Sequence, residues 1–154
     1  MQDRRWFLSS LFFSLSASAI PSAARTSAMI VHKDPNCGCC DLWVEHVRAV
    51  GIMAEIVETR EINRTKARLG VPMAVASCHT AEIDGYVIEG HVPAAEILRL
   101  LEERPAARGL AVPGMPINSP GMEVAGAVDE AYDVLLFGAG EPRIYASYRG
   151  ARRL

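Results

Sequence analysis

The sequence is short of everything that marks a nucleic-acid binder. Its 16 Lys and Arg are outnumbered by 18 Asp and Glu, giving a formal net charge of −2, so there is no basic excess to attract a phosphate backbone. Aromatic residues make up 6% of the chain, too sparse for a base-stacking surface. Nucleic acid is therefore excluded as an expected partner. Long apolar runs are missing too: the stretch from Trp6 to Ile20 is diluted with serine and alanine and is too short for a comfortable membrane span of ~20 residues. No internal repeat is visible. Cysteine is scarce, with four in 154 residues, and three of these fall at Cys37, Cys39 and Cys40. A cluster that tight cannot cross-link distant parts of a chain, so a structural staple explains it poorly.

What the N-terminus does contain is a targeting pattern. Arg4-Arg5 supplies a positive flank, an apolar stretch follows, and small-residue cleavage sites stand at Ala17-Ser18-Ala19, Ser22-Ala23-Ala24 and Thr26-Ser27-Ala28. Residues 1–28 are accordingly expected to be an export signal and residues 29–154 a single domain, periplasmic and without a membrane span. Arg4-Arg5-Trp6-Phe7-Leu8 partly matches the twin-arginine export motif, although Asp3 and Ser9 are not its usual flanks. An ordinary secretory signal fits equally well.

In the remainder, apolar periodicity and turn residues predict strand, helix, strand, helix, strand, hairpin strand, helix. Ala28 to His32 reads as a strand broken by Asp34-Pro35-Asn36, and Cys39 to Val50 reads as a helix stopped by Gly51. Ile52 to Val57 is a second strand, and Glu61 to Leu69 a charged, exposed helix ended by Gly70. Met73 to Ser77 is predicted as the third strand, and Asp84-Gly85 as a hairpin turn into Tyr86 to Gly90. Pro93 opens a helix whose buried side carries Ile97, Leu98, Leu100 and Leu101. Gly109 to Gly121 is rich in Gly and Pro and is predicted as an ordered loop. Tyr132 to Phe137 and Arg143 to Tyr148 form a terminal hairpin. The expected fold is α/β: a thioredoxin-like mixed sheet with flanking helices, plus the Pro/Gly-rich loop and a C-terminal β-hairpin.

On this fold the cysteines sit where a strand passes into a helix, and the N–H groups of a helix start stabilise thiolates. Cys37 and Cys40 have the Cys-x-x-Cys spacing of a dithiol redox pair. Gly70-Val71-Pro72 precedes the third strand, where a thioredoxin-like fold places a cis-proline facing its dithiol, and Cys78 follows a few residues later. Three chemistries compete. A thiol-disulfide oxidoreductase needs only Cys37 and Cys40, as nucleophile and resolving thiol, and the extra thiols would divert it. A zinc-stabilised interaction module is a second reading, but adjacent Cys39 and Cys40 chelate one tetrahedral ion awkwardly. Closely spaced thiolates suit sulfurs that bridge several soft ions, which favours Cu(I), polynuclear included. Met115 and Met122, in a loop with no core to fill, are candidate thioether ligands.

The remaining histidines and Trp43 have simpler structural readings. His32 is expected to be a hydrogen-bonded strand-end residue, His46 structural or exposed, and His91 a cap at the start of the third helix. His79 is expected on the opposite sheet face from Cys78 by strand alternation, unless the strand has already ended there. Trp43 reads as a core anchor.

These motifs match a family. His32-Lys33-Asp34-Pro35-Asn36-Cys37-Gly38-Cys39-Cys40 with Trp43-Val44-Glu45-His46, then Gly70-Val71-Pro72, Ala76 to Ala81, Gly85 to Ala94, Gly109 to Pro116 and Ser119 to Glu123, resemble the CopG-type periplasmic copper-resistance proteins, first catalogued as a domain of unknown function. The resemblance spans nearly all of residues 29–154. It implies a thioredoxin-like fold, copper bound by Cys37, Cys39, Cys40 and Cys78 with a redox role in copper handling, and a loop bearing Met115 and Met122. Other periplasmic copper-handling proteins become expected partners. Two positions depart from it: Asp41 and Asn118 stand where glycine is common.

Overall fold

The computed structural model describes residues 28–154; the expected export signal lies outside them, apart from Ala28. Met29–Lys33 (β1) leads through the Asp34-Pro35-Asn36 turn into Gly38–Ala49 (α1), then Ala54–Glu58 (β2) and Ile62–Leu69 (α2). Thr80–Ile83 (β3) and Tyr86–Glu89 (β4) form a hairpin, and Ala94–Glu103 (α3) connects to Gly109–Ala111 (β5). Ala131–Phe137 (β6), Arg143–Arg149 (β7) and Arg152–Arg153 (β8) complete an eight-stranded mixed sheet in the order β2-β1-β3-β4-β5-β6-β7-β8. The α/β reading is confirmed.

Local chemistry accounts for the element ends. Asp34 Oδ1 accepts the Asn36 N–H at 2.9 Å and the Asp34 carbonyl accepts the Cys37 N–H at 3.0 Å, a side-chain-stabilised turn that ends β1 and starts α1. Asp84 and Gly85 have φ of +52° and +87°, the left-handed pair that a two-residue hairpin turn requires. β1 and β2 are parallel with α1 crossing between them, β3 is antiparallel to both β1 and β4, and β4 is parallel to β5. The main core joins Met29, Val31, Trp43, Val44 and Val47 to Ile88, Ile97, Leu100 and Leu110, so α1 and α3 share the apolar interior beside the sheet. Trp43, fully buried as expected of a core anchor, donates its indole N–H to the Val92 carbonyl at 2.9 Å.

Several expectations are corrected. Met73–Val75 is a short 3-10 turn, and the third strand starts only at Thr80. The Ser77 N–H goes to the Glu89 side chain at 2.6 Å rather than to a sheet ladder, which keeps the segment out of the sheet. Pro72 stands at the start of that turn, and every peptide bond among the described residues is trans. Gly109–Ala111, expected in the loop, is a buried strand bonded to β4 on one side and β6 on the other. α2 is not wholly exposed, since Lys66 and Leu69 are buried. No helix among the described residues is long and apolar enough to cross a membrane.

Candidate metal centre

The end of β1, the start of α1, the segment leading into β3 and the Pro/Gly loop converge on one small volume. α1 presents Cys39 and Cys40 from its first turn, with Cys37 as the preceding residue. Cys37 and Cys40 are joined as a disulfide, while Cys39 and Cys78 are free. Cys37 Sγ lies 3.6 Å from Cys39 Sγ, and Cys40 Sγ lies 3.6 Å from Cys78 Sγ. All four sulfurs fall within 4.8 Å of one another. Cys40 is buried and the other three are partly exposed, so the cluster opens to solvent at one side.

Two histidines that the sequence pattern assigned elsewhere stand against Cys78. His91 is fully buried, with Nε2 3.1 Å from Cys78 Sγ and Nδ1 2.8 Å from the Pro120 carbonyl. A carbonyl only accepts, so Nδ1 carries the proton and the Nε2 lone pair faces the sulfur. His91 therefore does not act as the expected helix cap. His79 lies on the same side as Cys78, the outcome expected where no strand spans the pair, since β3 begins only at Thr80. Its Nδ1 is 3.3 Å from Cys78 Sγ, its ring centroid is 4.3 Å from that of Trp43, and its buried Nε2 has no hydrogen-bond partner. Cys78, His79 and His91 form a second donor group, again within 4.8 Å and sharing Cys78 with the first. The signal that could have found His91 is its place in the long Gly85 to Ala94 motif, set against a helix start that needs no imidazole.

Burial sets the protonation states. It pushes the Cys78 thiol up to about 12, with the nearby Cys39 adding to the rise. It holds His79 well below the ordinary histidine value, with His91 and then Lys66 contributing, and lowers His91 against the opposing Pro120 hydrogen bond and Glu123 charge. Without metal the site is thus a protonated thiol facing neutral imidazoles. Soft, uncharged nitrogen and sulfur donors packed this closely suit a thiophilic cation that displaces the Cys78 proton.

The Pro/Gly loop is fastened to this centre at both ends. The Gly114 carbonyl accepts from Ser77 Oγ, and the Gly114 N–H donates to the Ala76 carbonyl at 3.3 Å. A Cβ on Gly121 would sit 2.6 Å from the Trp43 nitrogen and 2.9 Å from the Cys39 carbonyl oxygen, so the loop backbone rests directly on the first turns of α1. Met115 and Met122 each follow one of these pinned glycines; Met115 is half exposed and Met122 partly buried. Asn118 takes φ +63°, a left-handed conformation that asparagine tolerates, so its departure from glycine preserves the turn. Asp41 pairs with the buried Lys33 at 3.1 Å, which offsets its charge beside the cluster. His32 hydrogen-bonds Glu82 at 3.1 Å, and His46 Nε2 accepts the Ala94 N–H at 3.0 Å; both are structural, as expected.

A mixed α/β sheet that gathers four sulfurs and two imidazoles at one end defines a metal-binding protein of the cysteine-cluster type. Comparison with known proteins carries this further. Residues 75–122 match the family described as a protein of unknown function, DUF411. Two solved structures are similar along most of their length. Copper resistance protein CopG, Form 1, is 45% identical, with a TM-score of 0.75 over 81% of this chain and 99% of that one. Copper resistance protein CopG, Form 2, is 46% identical, with a TM-score of 0.74 over 79% of this chain and 97% of that one. No curated protein sequence gives a significant match. The chain belongs to the CopG copper-resistance family.

Proposed function

We propose that this protein is an exported, periplasmic copper-handling protein that binds Cu(I) through Cys37, Cys39, Cys40 and Cys78, directed there by residues 1–28, with residues 29–154 as the metal-binding domain. The convergence of four sulfurs within 4.8 Å carries this reading, and kinship to copper-resistance proteins supports copper as the cargo. The run β1-α1-β2-α2-β3-β4-α3, with strand order β2-β1-β3-β4, supports a thioredoxin-like core. Met115 and Met122 are proposed as supplementary thioether ligands and His91 as a nitrogen ligand. Binding through all four sulfurs needs the Cys37–Cys40 disulfide reduced. The reduced dithiolate also supplies a copper redox step: two Cu(II) take one electron each, becoming two Cu(I), as the two thiolates join in the disulfide. Other periplasmic copper carriers are the proposed donors or acceptors.

Anaerobic Cu(I) titration of reduced protein against a competing chelator, with metal analysis, tests the reading. Tight binding that is lost in Cys37→Ser or Cys40→Ser is expected; weak binding indifferent to both substitutions would sink it. Co-purified zinc whose chelation unfolds the chain would favour the zinc-stabilised module instead.

The Cys37–Cys40 disulfide favours a second reading, a thiol-disulfide oxidoreductase. In it the Cys37 thiolate attacks a substrate disulfide and releases one substrate thiolate. Cys40 then attacks Cys37 Sγ, releasing the second thiolate and leaving the disulfide observed here. Rapid disulfide exchange that survives Cys39→Ala and Cys78→Ala would select this reading over copper.

A further inference from the structure

Behind the metal centre lies a charged pair that none of the chemistry above uses. Lys66, on the buried side of α2, and Glu89, at the end of β4, are 2% and 0% exposed, and Lys66 Nζ donates to Glu89 Oε1 at 2.5 Å. A fully buried ion pair is weak support for stability, because desolvation offsets the attraction and apolar residues of similar volume pack as well. Where its remaining hydrogen bonds go is more informative. Glu89 Oε1 also accepts the Ser77 backbone N–H at 2.6 Å, and Oε2 accepts the Thr80 hydroxyl at 2.6 Å. Lys66 Nζ donates to that same Thr80 oxygen at 2.8 Å. Ser77 and Thr80 flank Cys78-His79, so one carboxylate grips both ends of the two-residue segment. The Gly90 N–H, one residue beyond Glu89, holds the His79 carbonyl between them at 3.0 Å.

We propose that Lys66 and Glu89 form a buried clamp that positions Cys78 for the metal centre. They are positioning residues and touch no metal themselves. Residues 76–79 belong to no helix or strand, so no ladder or helix fixes the direction of the Cys78 side chain; the Glu89 carboxylate takes over that task. Lys66 keeps the carboxylate paired in a site with no solvent. Held in this way, the Cys78 sulfur meets Cys40 on one side and His91 on the other. Released from Glu89, the segment would keep only its Gly90 and Gly114 contacts, and the four-sulfur set would hold less firmly the member contributed from outside α1.

The inference rests on the Cu(I)-binding reading, and two double variants separate the two. Lys66→Met with Glu89→Gln removes both charges but keeps an amide oxygen to accept the Ser77 N–H. Lys66→Met with Glu89→Leu removes the charges and the acceptor together. The clamp predicts near-native Cu(I) affinity and Cu–S charge-transfer absorption for the Gln variant. For the Leu variant it predicts affinity about 10–100-fold weaker, the range typical of lost supporting contacts to a metal ligand, with shifted absorption and copper stoichiometry. Amide hydrogen exchange on metal-free protein gives a copper-independent reading: residues 77–80 should stay protected in the Gln variant and open in the Leu variant. Equal affinity and equal protection in two folded variants would overturn the clamp, as would equal losses in both. If the parent protein takes up no Cu(I), the functional reading falls while the exchange comparison still decides the clamp.

Discussion

Cys78 is the residue on which the centre turns, since both donor groups include it. Its thiol is pushed up to about 12 by burial and then by Cys39, so a metal bound there would have to displace that proton. His91 faces the sulfur with its Nε2 lone pair, because Nδ1–H is fixed on the Pro120 carbonyl. His91→Ala is expected to weaken Cu(I) binding by roughly 10–100-fold while leaving the Cys37–Cys40 disulfide able to form. Chelator competition and thiol counting on one sample read both quantities, and unchanged affinity would remove His91 from the centre. Asp41 carries a milder lesson: a charge that looks disruptive beside thiolates is absorbed by Lys33, a side chain whose burial its charge conceals.

Among the elements, the Pro/Gly loop and the start of α3 determine how the centre is enclosed. Gly121 lies so close to the Trp43 nitrogen and the Cys39 carbonyl that no Cβ fits, and its φ of +82° disfavours one in any case. Gly121→Ala should lift the loop from α1, with a stability loss of about 1–3 kcal/mol and easier access of alkylating reagents to Cys39. A native melting temperature with unchanged Cys39 labelling would contradict that contact. The junction of α1 with α3 depends on His46, whose Nε2 lone pair accepts the Ala94 N–H. Burial lowers His46 below its ordinary value of 6.5, more than the Glu123 charge raises it. A histidine with a depressed folded value contributes stability above pH 6.5 that is lost as pH falls through that folded value, because the unfolded chain takes up the proton first. His46→Gln keeps an acceptor that does not titrate. The difference in melting temperature between parent and variant should therefore shift in favour of the variant as pH falls below about 6.5, and a pH-independent difference would refute the assignment.

Across the whole molecule, the sheet holds the centre's parts together from widely separated stretches of chain. Cys40, Cys78, His91 and Pro120 come from α1, the approach to β3, the segment before α3 and the loop beyond β5. A ligand that joins them stabilises the folded chain alone. Cu(I) at one hundred times its dissociation constant should add about 2.7 kcal/mol to reduced protein, visible as a higher unfolding temperature. Protein with the Cys37–Cys40 disulfide intact should gain less, since two of its sulfurs are already committed; an equal gain would mean that copper binds without that pair.

Local order determined much of this from sequence. The cysteine cluster at a turn before a helix, the Asp84-Gly85 hairpin, the terminal hairpin and the α/β class all follow from neighbours in the chain, because turns, caps and periodicity act over a few residues. Thiolate spacing favoured copper and the fold register placed Cys78 near the cluster; family resemblance made copper the expected metal and Cys78 a leading ligand. What only tertiary packing decided are the contacts across long separations: His91 against Cys78, Pro120 against His91, and the use of the Ser77 N–H by Glu89 in place of a strand ladder. A polar side chain looks solvent-facing when read along the chain, as Lys66 did, or looks like a local cap, as His91 did, and only the completed fold shows that its partners are buried with it. The cysteine motif is therefore legible by itself, and the pocket that holds its fourth sulfur is not.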